Sequence, residues 1–117
     1  MIIGIGTRRD ITREEVVEAV KQALDECSLN LEEVTALASA KLKKNERGLL
    51  EAGKVLGIPV DFLPDEVLNS YNPPSSSKAS LFGLKGVAEP AALALSKEKK
   101  LISRKKVYGR VTIAIAK

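Results

Sequence analysis

Residues 1–10, MIIGIGTRRD, lead directly into residues 11–20, ITREEVVEAV. Residues 2–6 predict a short buried β-strand, because a brief apolar, β-branched run is typical of strands rather than helices. A helix is predicted immediately afterwards, since Thr12 and Glu15 have the spacing of a capping box, in which each side chain satisfies the other residue's backbone N–H. The stretch therefore predicts the first strand and the first helix of an α/β fold.

The middle of the chain continues the alternation of strand and helix. Apolar runs and stop signals predict a strand over 34–39, a helix over 45–56 that stops at Gly57, a strand over 60–63 and a turn of helix over 65–68. Two glycines inside the longer helix, Gly48 and Gly53, each cost about 1 kcal/mol relative to alanine. Their presence indicates close packing of the helix backbone against a neighbouring element.

The C-terminal part predicts two further helices and a hairpin. A short helix is predicted over 79–85, and a second helix starts at Glu89-Pro90, since proline suits the first helical position. Residues 101–107 and 110–116 are predicted to pair around a turn at Tyr108-Gly109. Together these elements predict one domain over residues 1–117, a three-layer α/β/α domain with a mixed, mainly parallel sheet and a C-terminal antiparallel hairpin.

The composition excludes several kinds of site. With one cysteine and no histidine, the chain cannot form an internal disulfide, and a zinc site built from protein ligands is close to excluded. Cys27 ends the apolar stripe of the first helix and is interpreted as a small core residue. Any metal is therefore expected to arrive inside a ligand, with no cofactor held by protein ligands. The sequence has neither an apolar run long enough to span a bilayer nor a signal pattern, so we expect a cytoplasmic protein without a membrane partner.

The net charge of +4 raises the question of a nucleic-acid partner. The basic residues cluster at 41–44 and at 97–106, but two Phe, two Tyr and no Trp make a poor stacking platform for single strands. We therefore expect no nucleic-acid partner. Two interpretations of the basic clusters stay open, a solvated face and an anion-binding role.

Ligands of open α/β sheets bind beyond the carboxyl ends of the strands, near helix N-termini. Three segments are predicted to lie there, residues 4–9, 39–46 and 86–89, with the serine-rich stretch 72–78 as a bordering loop. In the first segment, glycines let the backbone approach a ligand closely, and the side chains of Arg8 and Arg9 suit carboxylates or phosphates. The segment is interpreted as an anion cradle; the alternative is that both arginines are solvated loop charges.

Three charged residues in the other two segments are candidates for catalysis. Lys41 and Glu46 are either a catalytic couple or a surface ion pair. Glu89 sits where the positive end of a helix favours its ionised form, so it is a better positioning or accepting group than an acid, or else a helix cap alone.

Four pieces of the sequence together resemble the CbiG C-terminal domain and CobE family of cobalamin (vitamin B12) biosynthesis. They are GIGTRRD, ASAKLKKNERGLLEAGKVLGIP, the serine-rich loop leading to GVAEPAALAL, and LISRKKVYGRVTIAIA. The pieces span nearly the whole chain in the order of the family. Thr7 departs from the family, which commonly has a cysteine after its G-x-G, and this argues against thiol chemistry there. Pro90 is a second departure and shortens the start of the helix around Glu89.

The resemblance implies the chemistry of cobalt-precorrin-5A hydrolysis, in which the δ-lactone is opened and acetaldehyde is released. It implies a cobalt-precorrin tetrapyrrole as partner, with cobalt only as part of that substrate, and a separately encoded N-terminal half of CbiG or another pathway enzyme as a candidate second partner. Two other functions stay open, a non-catalytic CobE-like binding or docking subunit and a basic anion- or nucleic-acid-binding module.

Roles for individual residues follow from this interpretation. Glu46 or Glu89 would serve as base or water-positioning group, and Lys41 as the partner of an oxyanion or a carboxylate. The predicted catalytic residues are thus Lys41, Glu46 and Glu89, and the predicted substrate-binding residues are Gly4, Gly6, Thr7, Arg8, Arg9, Ser39, Ser80, Gly86 and Val87.

Overall fold

The fold is built on a mixed sheet, seen in a computed structural model that describes residues 1–41, 45–71 and 87–117. The strands are β1 (Ile2–Thr7), β2 (Ala36–Ala40), β3 (Val60–Leu63), β4 (Leu101–Tyr108) and β5 (Val111–Ala116). The helices are α1 (Arg13–Glu26), α2 (Arg47–Leu56), α3 (Asp65–Asn69) and α4 (Ala88–Leu95), with a 3-10 turn at Leu31–Glu33. Within the described ranges, no helix is long and apolar enough to cross a membrane.

The strands of the described residues lie in the order β3-β2-β1-β5-β4. β1 pairs in parallel with β2, and β2 with β3, whereas β5 is antiparallel to both of its neighbours, β1 and β4. All these strands except β5 therefore point the same way. This arrangement confirms the predicted mixed sheet with a C-terminal antiparallel hairpin, and it brings the carboxyl ends of β1, β2 and β3 to one edge.

Alternation along β1 divides its side chains between the two faces of the sheet. Ile3 and Ile5 belong to a buried core formed with α1 and α2. Ile2 belongs to a second core, formed with α3 and α4 around Leu68 and Ala91. Helices thus cover both faces, which confirms the three-layer architecture. Cys27 is half-buried and packs against the first core, as expected.

Short-range sequence signals determine where α1 begins and where α2 ends. In the capping box, the Glu15 N–H donates to Thr12 Oγ1 at 3.1 Å and the Thr12 N–H donates to Glu15 Oε1 at 3.2 Å. Helix α2 ends at Gly57, which has a left-handed φ of 72°. A Cβ placed on Gly48 would lie 2.8 Å from the carbonyl carbon of Ile11, so α2 packs with its backbone against the β1–α1 loop, as its glycines predicted.

Several predicted boundaries were wrong. Helix α2 begins at Arg47 rather than at 45, and α4 begins at Ala88, so Pro90 is its third residue rather than its first. The second strand runs over Ala36–Ala40 rather than 34–39, because the 3-10 turn reaches Val34, whose N–H donates to the Leu31 carbonyl. The hairpin turn falls on Gly109 and Arg110 rather than on Tyr108-Gly109, since Tyr108 still pairs with Val111 and Gly109 takes the positive φ at the first position of the turn. The predicted loop 72–78 and helix 79–85 lie outside the described residues.

Candidate functional site

A cavity of about 450 Å³ lies where β1 ends, between the start of α4 and the β4–β5 hairpin. An added Cβ on Gly6 would be 3.7 Å from the Cβ of Val87, which shows how closely β1 and the start of α4 approach each other there. The residues that line the cavity are Gly6, Thr7, Arg8, Val87, Ala88, Lys105, Val107, Gly109, Arg110 and Thr112. Two of the three predicted segments therefore converge, through Gly6, Thr7, Arg8 and Val87.

The charged side chains in the described lining of this cavity are all basic. Arg8, Lys105 and Arg110 contribute three cations, and the described lining contains no carboxylate. Val107 adds an apolar side chain that is 70% exposed. The cavity thus offers a positive rim next to an uncovered apolar surface, which suits an anion that also carries an apolar body.

Arg110 is bound by α1 and by the loop that precedes it. Its Nε donates to Glu15 Oε2 at 2.8 Å and its Nη2 to Glu15 Oε1 at 2.6 Å, which is a bidentate pair. The hydrogen bonds from Arg110 lower the pKa of Glu15 to about 2, against a smaller opposing effect of desolvation, and Thr12 contributes in the same direction as Arg110. The same pairing raises the pKa of Arg110.

Thr7 carries an unusual hydroxyl. The Oγ1 atom is buried and finds no hydrogen-bond partner within residues 1–41, 45–71 and 87–117. A buried hydroxyl without a partner costs folding free energy. Thr7 is therefore held there at a cost to stability.

The two predicted catalytic residues of the second segment lie in separate places. Glu46 borders a neighbouring cavity of about 510 Å³ between the starts of α1 and α2, where its Oε1 accepts the Asp10 N–H at 3.4 Å. Lys41 lines another cavity, with Asp65 and Glu66 at the start of α3. The structure does not form the Lys41–Glu46 ion pair, which was one of the two interpretations of these residues.

Three other predicted residues make contacts inside the fold. Ser39 is buried, and its hydroxyl donates to the Ile5 carbonyl at 2.6 Å, which fastens β2 to β1. Gly4 lies beneath α4, where its missing side chain makes room for the helix backbone. Glu89 is 1% exposed, and its Oε2 accepts the Lys105 N–H at 3.1 Å, where the β4–β5 pairing shifts register.

The remaining predicted residues divide between the surface and the part of the chain that is not described. Arg9 is exposed in the β1–α1 loop. Ser80 and Gly86 lie outside the described residues. Four lining residues were not predicted from the sequence, Lys105, Val107, Arg110 and Thr112. The basic cluster over 97–106 was a signal that part of the hairpin could face an anion. Among the described residues, no group of three or more Cys, Asp or Glu side chains could hold a metal ion.

Comparisons with known proteins agree with the resemblance. A family model described as "Cobalamin synthesis G C-terminus" matches residues 1–116. The chain is 34% identical over 118 residues to the cobalt-precorrin-5A hydrolase of Priestia megaterium, and the match covers 99% of this chain and 32% of that protein. It is 33% identical over 127 residues to the probable cobalt-precorrin-5A hydrolase of Methanocaldococcus jannaschii, with coverages of 97% and 39%.

A solved structure shows the same fold. The crystal structure of CobE, a protein from the cobalamin biosynthetic pathway, superimposes with a TM-score of 0.88 at 36% sequence identity, covering 97% of this chain and 86% of CobE. The chain thus spans most of CobE, but only 32% and 39% of the length of the two hydrolases.

Proposed function

The chain belongs to the CbiG C-terminal family of cobalamin biosynthesis, and on that premise we propose that it binds a cobalt-precorrin intermediate as part of a cobalt-precorrin-5A hydrolase. The observation that carries the proposal is the cavity at the end of β1, with the exposed Arg8, the exposed Val107 and no carboxylate in its described lining. A corrinoid presents acetate and propionate groups around an apolar macrocycle. Guanidinium and ammonium groups pair with such carboxylates, while Val107 gives the ring an apolar contact.

Arg8 is the main contact in this proposal. It is exposed at the end of β1, and its planar guanidinium can hold a carboxylate through two parallel hydrogen bonds. Lys105 and the hairpin also line the cavity, so they would limit how the macrocycle enters. The chain would therefore bind and orient the substrate, whose cobalt and conjugated ring supply the electron sink for carbon–carbon cleavage.

Opening the lactone also needs a base for water and donors for the developing oxyanion. Among the predicted catalytic residues, Glu46 is better placed for this role than Glu89, because Glu46 borders an open cavity beside the β1–α1 loop and Glu89 is buried against β4. Lys41, at the end of β2, lines a different cavity from Glu46. Glu46 as base and Lys41 as carboxylate partner stay predictions.

A binding titration with cobalt-precorrin-5A tests the proposal directly. We expect saturable changes in the absorbance of the corrinoid, and about tenfold weaker binding for Arg8→Gln, since one charge-assisted bidentate contact is lost. Lys21→Gln is the matched control, because it removes a charge from the exposed face of α1, away from the cavity. Absence of binding by the unmodified chain, or equal weakening by the two variants, would contradict the proposal.

A second experiment asks whether the chain turns the substrate over. The chain spans 32% and 39% of the length of the two related hydrolases, and we propose that the active enzyme also needs the remaining part of those proteins. Acetaldehyde is therefore measured with the chain alone and with an N-terminal CbiG half added. Turnover by the chain alone would make it a hydrolase, and binding without turnover would make it a CobE-like binding subunit.

A further inference from the structure

One side chain of the distant hairpin makes several contacts with the loop between β1 and α1. Arg110 Nη1 donates to the Arg9 carbonyl at 3.4 Å and Nη2 to the Asp10 carbonyl at 3.5 Å, in addition to the bidentate pair with Glu15. The backbone takes part as well, since the Arg8 N–H donates to the Arg110 carbonyl at 3.1 Å. Consecutive residues of the loop are thus each joined to Arg110.

The loop needs such support because of its conformation. Asp10 has a φ of 55°, in the left-handed region that residues other than glycine seldom adopt. A backbone held in that region persists when the surrounding contacts over-determine it. Arg110 supplies those contacts from one side, and Glu46 supplies another through the Asp10 N–H.

The two arginines that line the cavity therefore differ in what their side chains are free to do. The guanidinium of Arg110 is already engaged by Glu15 and by two loop carbonyls, so its directions for a bidentate contact with a ligand are occupied. No hydrogen bond or ion pair joins the Arg8 side chain to another side chain in the described ranges. One arginine is engaged with protein, and the other is available for an anion.

We propose that Arg110 is a positioning residue, which holds the β1–α1 loop so that the Arg8 side chain faces the carboxylate of a ligand. The inference rests on the proposed function for the identity of that ligand, a corrinoid carboxylate. Glu15 contributes to this positioning. Its carboxylate binds the guanidinium of Arg110, and the same residue takes part in the capping box of α1. Arg110 acts through Arg8 and makes no ligand contact of its own.

Amide hydrogen exchange tests the loop without any ligand. In Arg110→Gln we expect the amides of Arg8 and Asp10 to exchange about tenfold faster, because the loop loses its charged partner. Lys106→Gln is the matched control: it removes a cation from the same hairpin, but one that pairs with Glu26 rather than with the loop. Unchanged exchange in Arg110→Gln, or equal acceleration in the control, would overturn the proposal.

A double-mutant cycle on cobalt-precorrin-5A binding tests the link between the arginines. Arg110→Gln alone should weaken binding about tenfold, whereas adding it to Arg8→Gln should weaken binding by less than about twofold, because the residue it positions is already gone. Independent, additive effects would show that Arg110 touches the ligand itself and would overturn its positioning role. If the unmodified chain binds no corrinoid, the proposed function fails, and the exchange experiment alone decides whether Arg110 holds the loop.

Discussion

Gly4 and Gly6 lie two residues apart on the same strand, yet the structure predicts opposite effects of replacing them with alanine. A Cβ on Gly4 would lie 2.8 Å from both the carbonyl carbon of Ala88 and the amide nitrogen of Ala92, and closer still to the Ala88 oxygen. Carbon atoms in contact are about 3.5–4.0 Å apart and the Ala88 oxygen is the nearest atom, so α4 would have to move by at least about 1 Å. The obstructing atoms are backbone, and a side-chain rotation cannot relieve them.

The cost of Gly4→Ala follows from that displacement. A gap of about 1 Å forfeits about half of the dispersion energy of the contacts it opens, and α4 carries the buried Ala91 and Ala92 of the second core. Overpacking of a core costs about 1–3 kcal/mol, and we expect the upper end, about 3 kcal/mol, because a whole helix must shift. With a urea m-value of about 2 kcal/mol/M, the midpoint of unfolding followed by circular dichroism should fall by about 1.5 M.

Gly6→Ala is the matched control for this experiment. The nearest atom to its added Cβ would be Val87 Cβ at 3.7 Å, an ordinary contact distance. Glycine inside a strand is less stable than alanine by about 0.5–1 kcal/mol, so the midpoint should stay the same or rise slightly. A Gly4→Ala midpoint within about 0.3 M of the unmodified chain, or an equal fall for Gly6→Ala, would refute the packing argument.

Three further predictions concern single polar side chains. Thr7→Val removes a buried hydroxyl that has no partner in the described part of the chain, so unfolding free energy measured in urea should rise by about 1 kcal/mol; a fall would show that the hydroxyl is satisfied. Glu15 has a folded-state pKa of about 2 against an ordinary value of 4.5, so its pair with Arg110 contributes fully above about pH 4.5 and is lost towards pH 2. Glu15→Gln should therefore melt below the unmodified chain at neutral pH, with a gap that narrows as pH falls through this window; a gap independent of pH would contradict the assignment. Burial, followed by the hydrogen bond that Tyr108 donates to Glu26, raises the pKa of Tyr108 to about 12. In Tyr71→Phe, which leaves Tyr108 as the single tyrosine, tyrosinate absorbance should rise near pH 12, and a midpoint near 10 would be evidence against this hydrogen bond.

The parts of the fold that could be predicted from sequence depend on neighbours along the chain. The capping box of Thr12 and Glu15 and the helix stop at Gly57 require only a few consecutive residues. The glycines of α2 indicated close packing because each of them lowers the stability of the helix relative to alanine, and a close backbone contact offsets that loss. The hairpin turn was misplaced by one residue, since Tyr108 and Arg110 both fit beside Gly109 and the cross-strand partner decides between them.

The candidate site depends on pairings that the sequence does not reveal. The cavity has Lys105 and Val107 in its lining because β5 pairs with β1, and local patterns do not show which strand a hairpin will join. Lys41 and Glu46 are close in sequence, yet the end of β2 and the start of α2 bring them to different cavities. Glu89 was expected near a ligand, but a carboxylate is rarely predicted to be buried, and its contact with the β4 backbone arises from a register shift.

The position of β5 has a consequence for how the molecule acquires its shape. Ile2 lies opposite Ala116 in the middle of the sheet, so the central pairing joins opposite ends of the sequence. During synthesis, β1 can meet β2 early, but its other edge stays open until residues 111–116 have left the ribosome. The Arg8 loop and the cavity beside it therefore form only after the hairpin has paired with β1. A newly synthesised chain can bind its ligand only after that pairing.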